Sequence, residues 1–125
     1  MKKLMILTVV FALTLTVNAQ VKSPQASTSQ TINQTVGLTN IELSYSRPSI
    51  KGRTIFGNLV PYNKVWRTGA NASTKISFDE NVMIGGEIIK AGTYAIYTKP
   101  NAESWEVYFY SDASNWGTPK KWDAE

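Results

Sequence analysis

The chain has only three arginines, Arg47, Arg53 and Arg67, and they lie close together in the sequence. A guanidinium presents its N–H donors in a rigid planar fork that can grip two oxygens of a carboxylate or phosphate at once. Between Glu42 and Asp79 there is no acidic residue, yet Arg47, Lys51, Arg53, Lys64, Arg67 and Lys75 all fall in that interval. Arg47 stands before Pro48 and Arg53 after Gly52, where the chain is expected to loop. This pattern predicts an anion-recognising surface, with Arg47, Arg53, Trp66, Arg67 and Asn71 as the candidate ligand-binding residues. The competing expectation is internal. The same arginines would pair with Glu87, Glu103, Glu106 or Asp112 from later strands and merely hold a long loop down.

A second candidate chemistry is aromatic. Tyr62, Trp66, Tyr94, Tyr97, Trp105, Tyr108, Tyr110, Trp116 and Trp122 are many for so small a protein. Exposed Trp and Tyr faces can stack on sugars while their polar edges hydrogen-bond. Alternation places Trp105 with Val107 and Phe109, so Trp105 is expected in the core, as is Trp66. The third candidate is hydrolysis by a carboxylate pair or by a Ser/Lys pair. Glu42 and Glu106 fall on the polar phase of their strands, which predicts solvent rather than a cleft.

Composition removes several classes. The chain contains no His and no Cys. The common zinc sites, the Ser-His-Asp triad and Cys-His catalysis therefore cannot be built from it. Asp79-Glu80-Asn81 lacks the ligand spacing of a calcium loop. Gly85-Gly86 opens no helix and so makes no phosphate cradle. No metal ion and no cofactor is expected.

These residues must be positioned by strands. Ile41, Leu43 and Tyr45 alternate with Glu42 and Ser44, the period of a half-buried strand, and Arg47-Pro48 ends it. Residues 48–63 read as loop, and Val65-Trp66-Arg67 as a short strand. Thr74, Ile76 and Phe78 alternate with Lys75, Ser77 and Asp79 in the next strand. Val82–Ile84, Gly85-Gly86 and Glu87–Ile89 spell a hairpin with the positive φ its turn requires. Thr93–Thr98 is a strand broken by Lys99-Pro100-Asn101, and Trp105–Tyr110 alternates again. No capped stretch of helical period occurs. The predicted class is all-β: a small antiparallel β-sandwich or partly open barrel. Trp116 and Trp122 sit in a polar, strand-poor tail, which predicts that the domain is truncated at its C-terminus and that further strands follow.

Before this domain comes an export signal. Lys2 and Lys3 precede an apolar run from Leu4 to Val17, and Val17-Asn18-Ala19 offers small residues for cleavage between Ala19 and Gln20. The run is shorter than the roughly 20 residues that span a bilayer. The expected organisation is a signal peptide at 1–19, a polar leader or edge strand at 20–34 and a β-rich domain at 35–125. No membrane span is expected after cleavage. Loss of Lys2 and Lys3 takes the formal charge from +4 to +2, too small to argue for nucleic acid. The expected location is periplasmic or secreted.

Several stretches carry a family resemblance: Ser23-Pro24-Gln25-Ala26-Ser27, Tyr45-Ser46-Arg47-Pro48, Lys51–Gly57, Leu59–Asn71, Ala91–Tyr94 and Trp116-Gly117. In order and spacing the chain resembles the bacterial domain-of-unknown-function family numbered 2911. The resemblance implies export and a β-rich domain with strands beyond the Trp-Gly element, and it carries over no catalytic residue. Taken together, the sequence predicts an exported binding module for a carbohydrate or small anion, more a binder than an enzyme. The alternatives are a protein–protein or envelope-scaffold module and a carboxylate- or Ser/Lys-based hydrolase.

Overall fold

A computed structural model describes residues 22–119, and all structural statements below concern those residues. The leader at 1–19, the Ala19–Gln20 cleavage position and Trp122 lie outside them. Seven strands form: β1 (Thr28–Val36), β2 (Thr39–Arg47), β3 (Thr74–Phe78), β4 (Val82–Ile84), β5 (Glu87–Ile89), β6 (Gly92–Pro100) and β7 (Trp105–Tyr110). Five of them make one antiparallel sheet in the order β1-β2-β3-β6-β7, and β4-β5 is a separate two-stranded ribbon. No helix occurs among the described residues, and none there is long and apolar enough to cross a membrane.

The sheet is open. The expected sandwich needs a second sheet packed on the first, and the expected barrel needs β1 to close toward β7; among the described residues neither pairing forms. Residues 48–73 turn repeatedly, with positive φ at Lys51, Gly52, Gly57, Asn63, Thr68 and Asn71, which no continuous strand tolerates. The expected Val65–Arg67 strand reduces to one bridge, Trp66 to Thr98. β4 and β5 are three residues each and pair only with one another. The expected break at Lys99-Pro100 falls later, because Lys99 and Pro100 still pair with Glu106 and Trp105. β1 crosses residue 34 and forms the edge strand next to β2.

Alternation sorts the side chains as the period-two pattern requires. Register puts Ile41, Leu43, Ile76, Phe78, Tyr94, Ile96 and Phe109 on one face. Phe78, Tyr94 and Phe109 meet there with ring centroids 6.4–6.5 Å apart. The opposite face is polar over β1 and β2 but holds Ala95 and Tyr97, both fully buried. Residues 111–119 cover that spot. The Tyr97 hydroxyl donates to the Gly117 carbonyl at 2.9 Å, and Ser73 Oγ donates to the Asn115 carbonyl at 3.0 Å. A tail with little strand character is thus held by one side chain of the sheet, Tyr97, and one just before β3, Ser73.

At one end of the sheet, Asp79 closes β2 against β3. Its carboxylate accepts from the Asn40 backbone N–H at 2.8 Å and from the Asn40 amide at 2.7 Å. The Asn40 side-chain bond, followed by its backbone bond, holds the Asp79 carboxyl below its ordinary value of 3.8. A depressed folded value means that the stabilisation exists above the unfolded value and is lost as pH falls through the folded one. Stability should therefore decline below about pH 4 in the native chain, and Asp79→Asn should flatten that decline in acid titrations followed by circular dichroism.

Candidate functional site

The opposite end of the sheet collects the C-termini of β2 and β6 and the N-termini of β1, β3 and β7. The loop from Pro48 to Ala72 lies across it. Several bonds fix this loop to strand ends. The Trp66 N–H donates to the Thr98 carbonyl at 2.7 Å, and the Thr98 N–H donates back to the Trp66 carbonyl at 3.0 Å. The Asn63 N–H donates to the Pro100 carbonyl at 2.9 Å, and Thr74 Oγ1 donates to the Thr68 carbonyl at 2.7 Å. Gly69, at φ +156°, passes so close that a Cβ would lie 3.2 Å from both the Ser46 carbonyl oxygen and Thr74 Oγ1. Glycine is needed here because the loop backbone crosses directly over β2 and β3.

Within the loop, residues 54–60 form a tight knot. The Gly57 N–H donates to the Val60 carbonyl at 2.9 Å, and the Val60 N–H donates to the Ile55 carbonyl at 2.8 Å. Gly57 has φ +82°, and a Cβ there would sit 2.8 Å from the Tyr62 ring. This knot presents Phe56 to two tryptophans: centroids are 4.8 Å to Trp105 and 6.0 Å to Trp66, all edge-to-face. Trp66 is half-buried. Trp105, expected in the core, is 44% exposed, because it opens the edge strand β7 and is covered on one side by Phe56 and Trp66.

The loop encloses a pocket of about 600 Å³, within the usual range for small-molecule sites. Ile50, Ile55, Phe56, Leu59, Val60 and Val65 give it apolar walls, Trp66 an aromatic one, and Arg53 and Arg67 its positive charge. Thr118 of the tail closes one side. No Asp, Glu or Lys lines it among the described residues.

The two arginines are held differently. Arg53 Nε donates to the Ile50 carbonyl at 3.0 Å and Nη2 to the Ser49 carbonyl at 2.8 Å. Its guanidinium is thereby clamped to the loop backbone by two of its five N–H groups. Arg67 lies over the Trp116 ring, 5.6 Å from the centroid, a cation–π arrangement that leaves the guanidinium edge free to donate. Neither makes an ion pair with a described residue. The salt bridge present there is Lys99 to Glu106 at 2.8 Å, on an exposed surface of β6 and β7. The expected internal pairing of the arginines with Glu87, Glu103, Glu106 or Asp112 therefore does not occur among the described residues.

Of the five candidate residues, the structure brings Arg53, Trp66 and Arg67 to one pocket. Arg47 is exposed at the end of β2, one residue before Pro48 of the pocket rim, and does not line it. Asn71 donates from its amide to the Ser27 carbonyl at 3.4 Å, tying the loop to the start of β1. Sequence reasoning missed the apolar walls, and it named Trp116 among the aromatic candidates without its place under Arg67. Ile50, Ile55, Leu59 and Val60 are scattered through a loop without period, so nothing in their spacing shows that they face one space.

No curated protein and no solved structure matches the chain. A family model does, that of a protein of unknown function, DUF2911, over residues 27–125. With that match covering most of its length, the chain belongs to the DUF2911 family.

Proposed function

We propose that this protein is an exported β-rich binding module whose loop pocket captures a small organic anion with an apolar body. The observation that carries the reading is the pairing of two arginines, neither in an ion pair with a described residue, with mostly apolar walls. An arginine fork rewards a carboxylate or phosphate with charge-assisted, two-point bonds. The Ile, Leu, Val and Phe walls reward apolar surface at about 25 cal/mol per Å². A carbohydrate, the other ligand class the sequence suggested, would bring more hydroxyls than Ser49, Thr118 and the two arginines can pair, and each one left buried and unpaired costs about 1–3 kcal/mol. Trp66 supplies a flat face against which either ligand class could lie. Among the described residues the lining holds no carboxylate and no lysine, so the two guanidinium groups are the charged groups there that would meet a ligand.

A thermal-shift panel of aliphatic and aromatic carboxylates, organic phosphates, and mono- and oligosaccharides tests this. A ligand at 100 times its dissociation constant adds about 2.7 kcal/mol of apparent stability, on the order of 10 °C at this size. Shifts from apolar anions and not from sugars are the expected result. A response to sugars alone would return the site to carbohydrate. Silence across the panel would favour the protein-interaction reading, which the outward-facing Met83 and Ile88 of the β4–β5 ribbon also support.

A further inference from the structure

β1 is an outer strand of the sheet, bonded to β2 along one side only. Such a strand is a template for another chain, and proteins usually blunt it with charge, proline, a bulge or a covering element. Among the described residues β1 has none of these. Its nine residues, Thr-Ser-Gln-Thr-Ile-Asn-Gln-Thr-Val, contain no Pro, Gly or charge, and no charged residue occurs between Lys22 and Glu42. Its register with β2 is unbroken from Thr28 to Val36, so no bulge bends it away. Eight of the nine are exposed. The other edge, β7, is defended: Glu106 sits on it, bound to Lys99.

The strand also reads alike in both directions about Ile32. An antiparallel partner of the same sequence, centred there, sets Thr31 opposite Asn33, Gln30 opposite Gln34, Ser29 opposite Thr35 and Thr28 opposite Val36. Directly opposed residues share a face. Ile32, 40% exposed beside Leu43, would then meet its own copy and carry the apolar face across the join. The glutamines are complementary. Gln30 Oε1 already accepts from the Tyr45 hydroxyl at 3.1 Å, which leaves its amide hydrogens to donate. Gln34 Nε2 already donates to the Thr35 carbonyl at 2.9 Å, which leaves Oε1 to accept. Each join would carry this pair twice.

We infer that β1 is a self-pairing edge, and that two copies of this chain join β1 to β1 in antiparallel register about Ile32 to make one continuous ten-stranded sheet. The occupant is a second copy because register and donor–acceptor pattern are self-complementary and no charge on the strand opposes the join.

Light scattering coupled to size exclusion on the purified native protein tests this, with two double variants at the same positions. Gln30→Lys/Gln34→Lys places like charges opposite each other at both symmetric pairs and should raise the dissociation constant about tenfold or more, dropping the mass toward one chain. Gln30→Lys/Gln34→Glu places opposite charges at the same pairs and should keep the two-chain mass. Native protein running as one chain overturns the inference, as does a Lys/Lys variant that keeps two. A Lys/Glu variant that falls to one chain while retaining native circular dichroism also overturns it. Hydrogen exchange on the native protein is independent of any variant. Slow exchange of the outward amides of Thr28–Val36 that quickens on dilution is expected, and fast exchange at every concentration contradicts it.

Discussion

Tyr97→Ala is expected to unfold the domain, or to leave it only marginally folded at 25 °C. Tyr97 is fully buried at the centre of β6, where its ring meets Tyr110 edge-on at 5.8 Å and its hydroxyl holds the Gly117 carbonyl. Truncating a buried aromatic to alanine costs about 3–5 kcal/mol, against a total stability of about 5–15 kcal/mol for a domain. Here the loss has a second consequence. The tail that Tyr97 anchors also supplies Trp116 beneath Arg67 and Thr118 in the pocket wall. Tyr97→Phe separates the two effects: it keeps the ring and removes the hydroxyl with its bonds, that to the Gly117 carbonyl among them, costing about 1–3 kcal/mol. Burial also pushes the Tyr97 phenol above its ordinary value of 10.0. A raised folded value means that stability is intact below the unfolded value and is lost as pH rises through the folded one. Native protein should therefore weaken above about pH 10, and Tyr97→Phe should remove part of that alkaline slope. Urea unfolding across pH measures both.

Replacing both pocket arginines, Arg53→Ala with Arg67→Ala, is expected to weaken binding of an apolar carboxylate by a hundredfold or more. A hydrogen bond to a charged group contributes about 1.5–3 kcal/mol, so one from each of the two residues accounts for about 3–6 kcal/mol. Stability should change much less. Neither arginine pairs with a described carboxylate, and Arg67's stacking on Trp116 contributes about 0.5–1 kcal/mol. Arg67→Lys keeps the charge and loses the planar fork, so it should fall between native and alanine. Calorimetry gives the affinities, and thermal melts of the unliganded variants show that the fold persists.

The strands were legible because their chemistry is local. Ile41-Glu42-Leu43, Ile76-Ser77-Phe78 and the Gly85-Gly86 turn each announce themselves within a few residues, and the structure places strands and a hairpin there. The sandwich was not legible, because a second layer is a matter of long-range pairing. Six short elements in a row are equally compatible with one open sheet and with two closed ones. Trp105 shows the same limit: alternation fixed its face correctly, but its exposure follows from β7 being an edge. At the site, the acid-free interval from Glu42 to Asp79 pointed to Arg53 and Arg67. The apolar walls were hidden, because an irregular loop has no period from which a shared face can be read.

The central claim is that the pocket recognises a negative charge on an apolar body. The most direct measurement is a calorimetric comparison of an apolar carboxylate with its neutral primary amide, on native protein and on the Arg53→Ala/Arg67→Ala variant. The two ligands share their apolar body and differ in charge. The account predicts that native protein binds the acid at least about tenfold more tightly than the amide, a difference of about 1.4 kcal/mol, and that the variant binds the two alike. Equal affinity of native protein for acid and amide would contradict it.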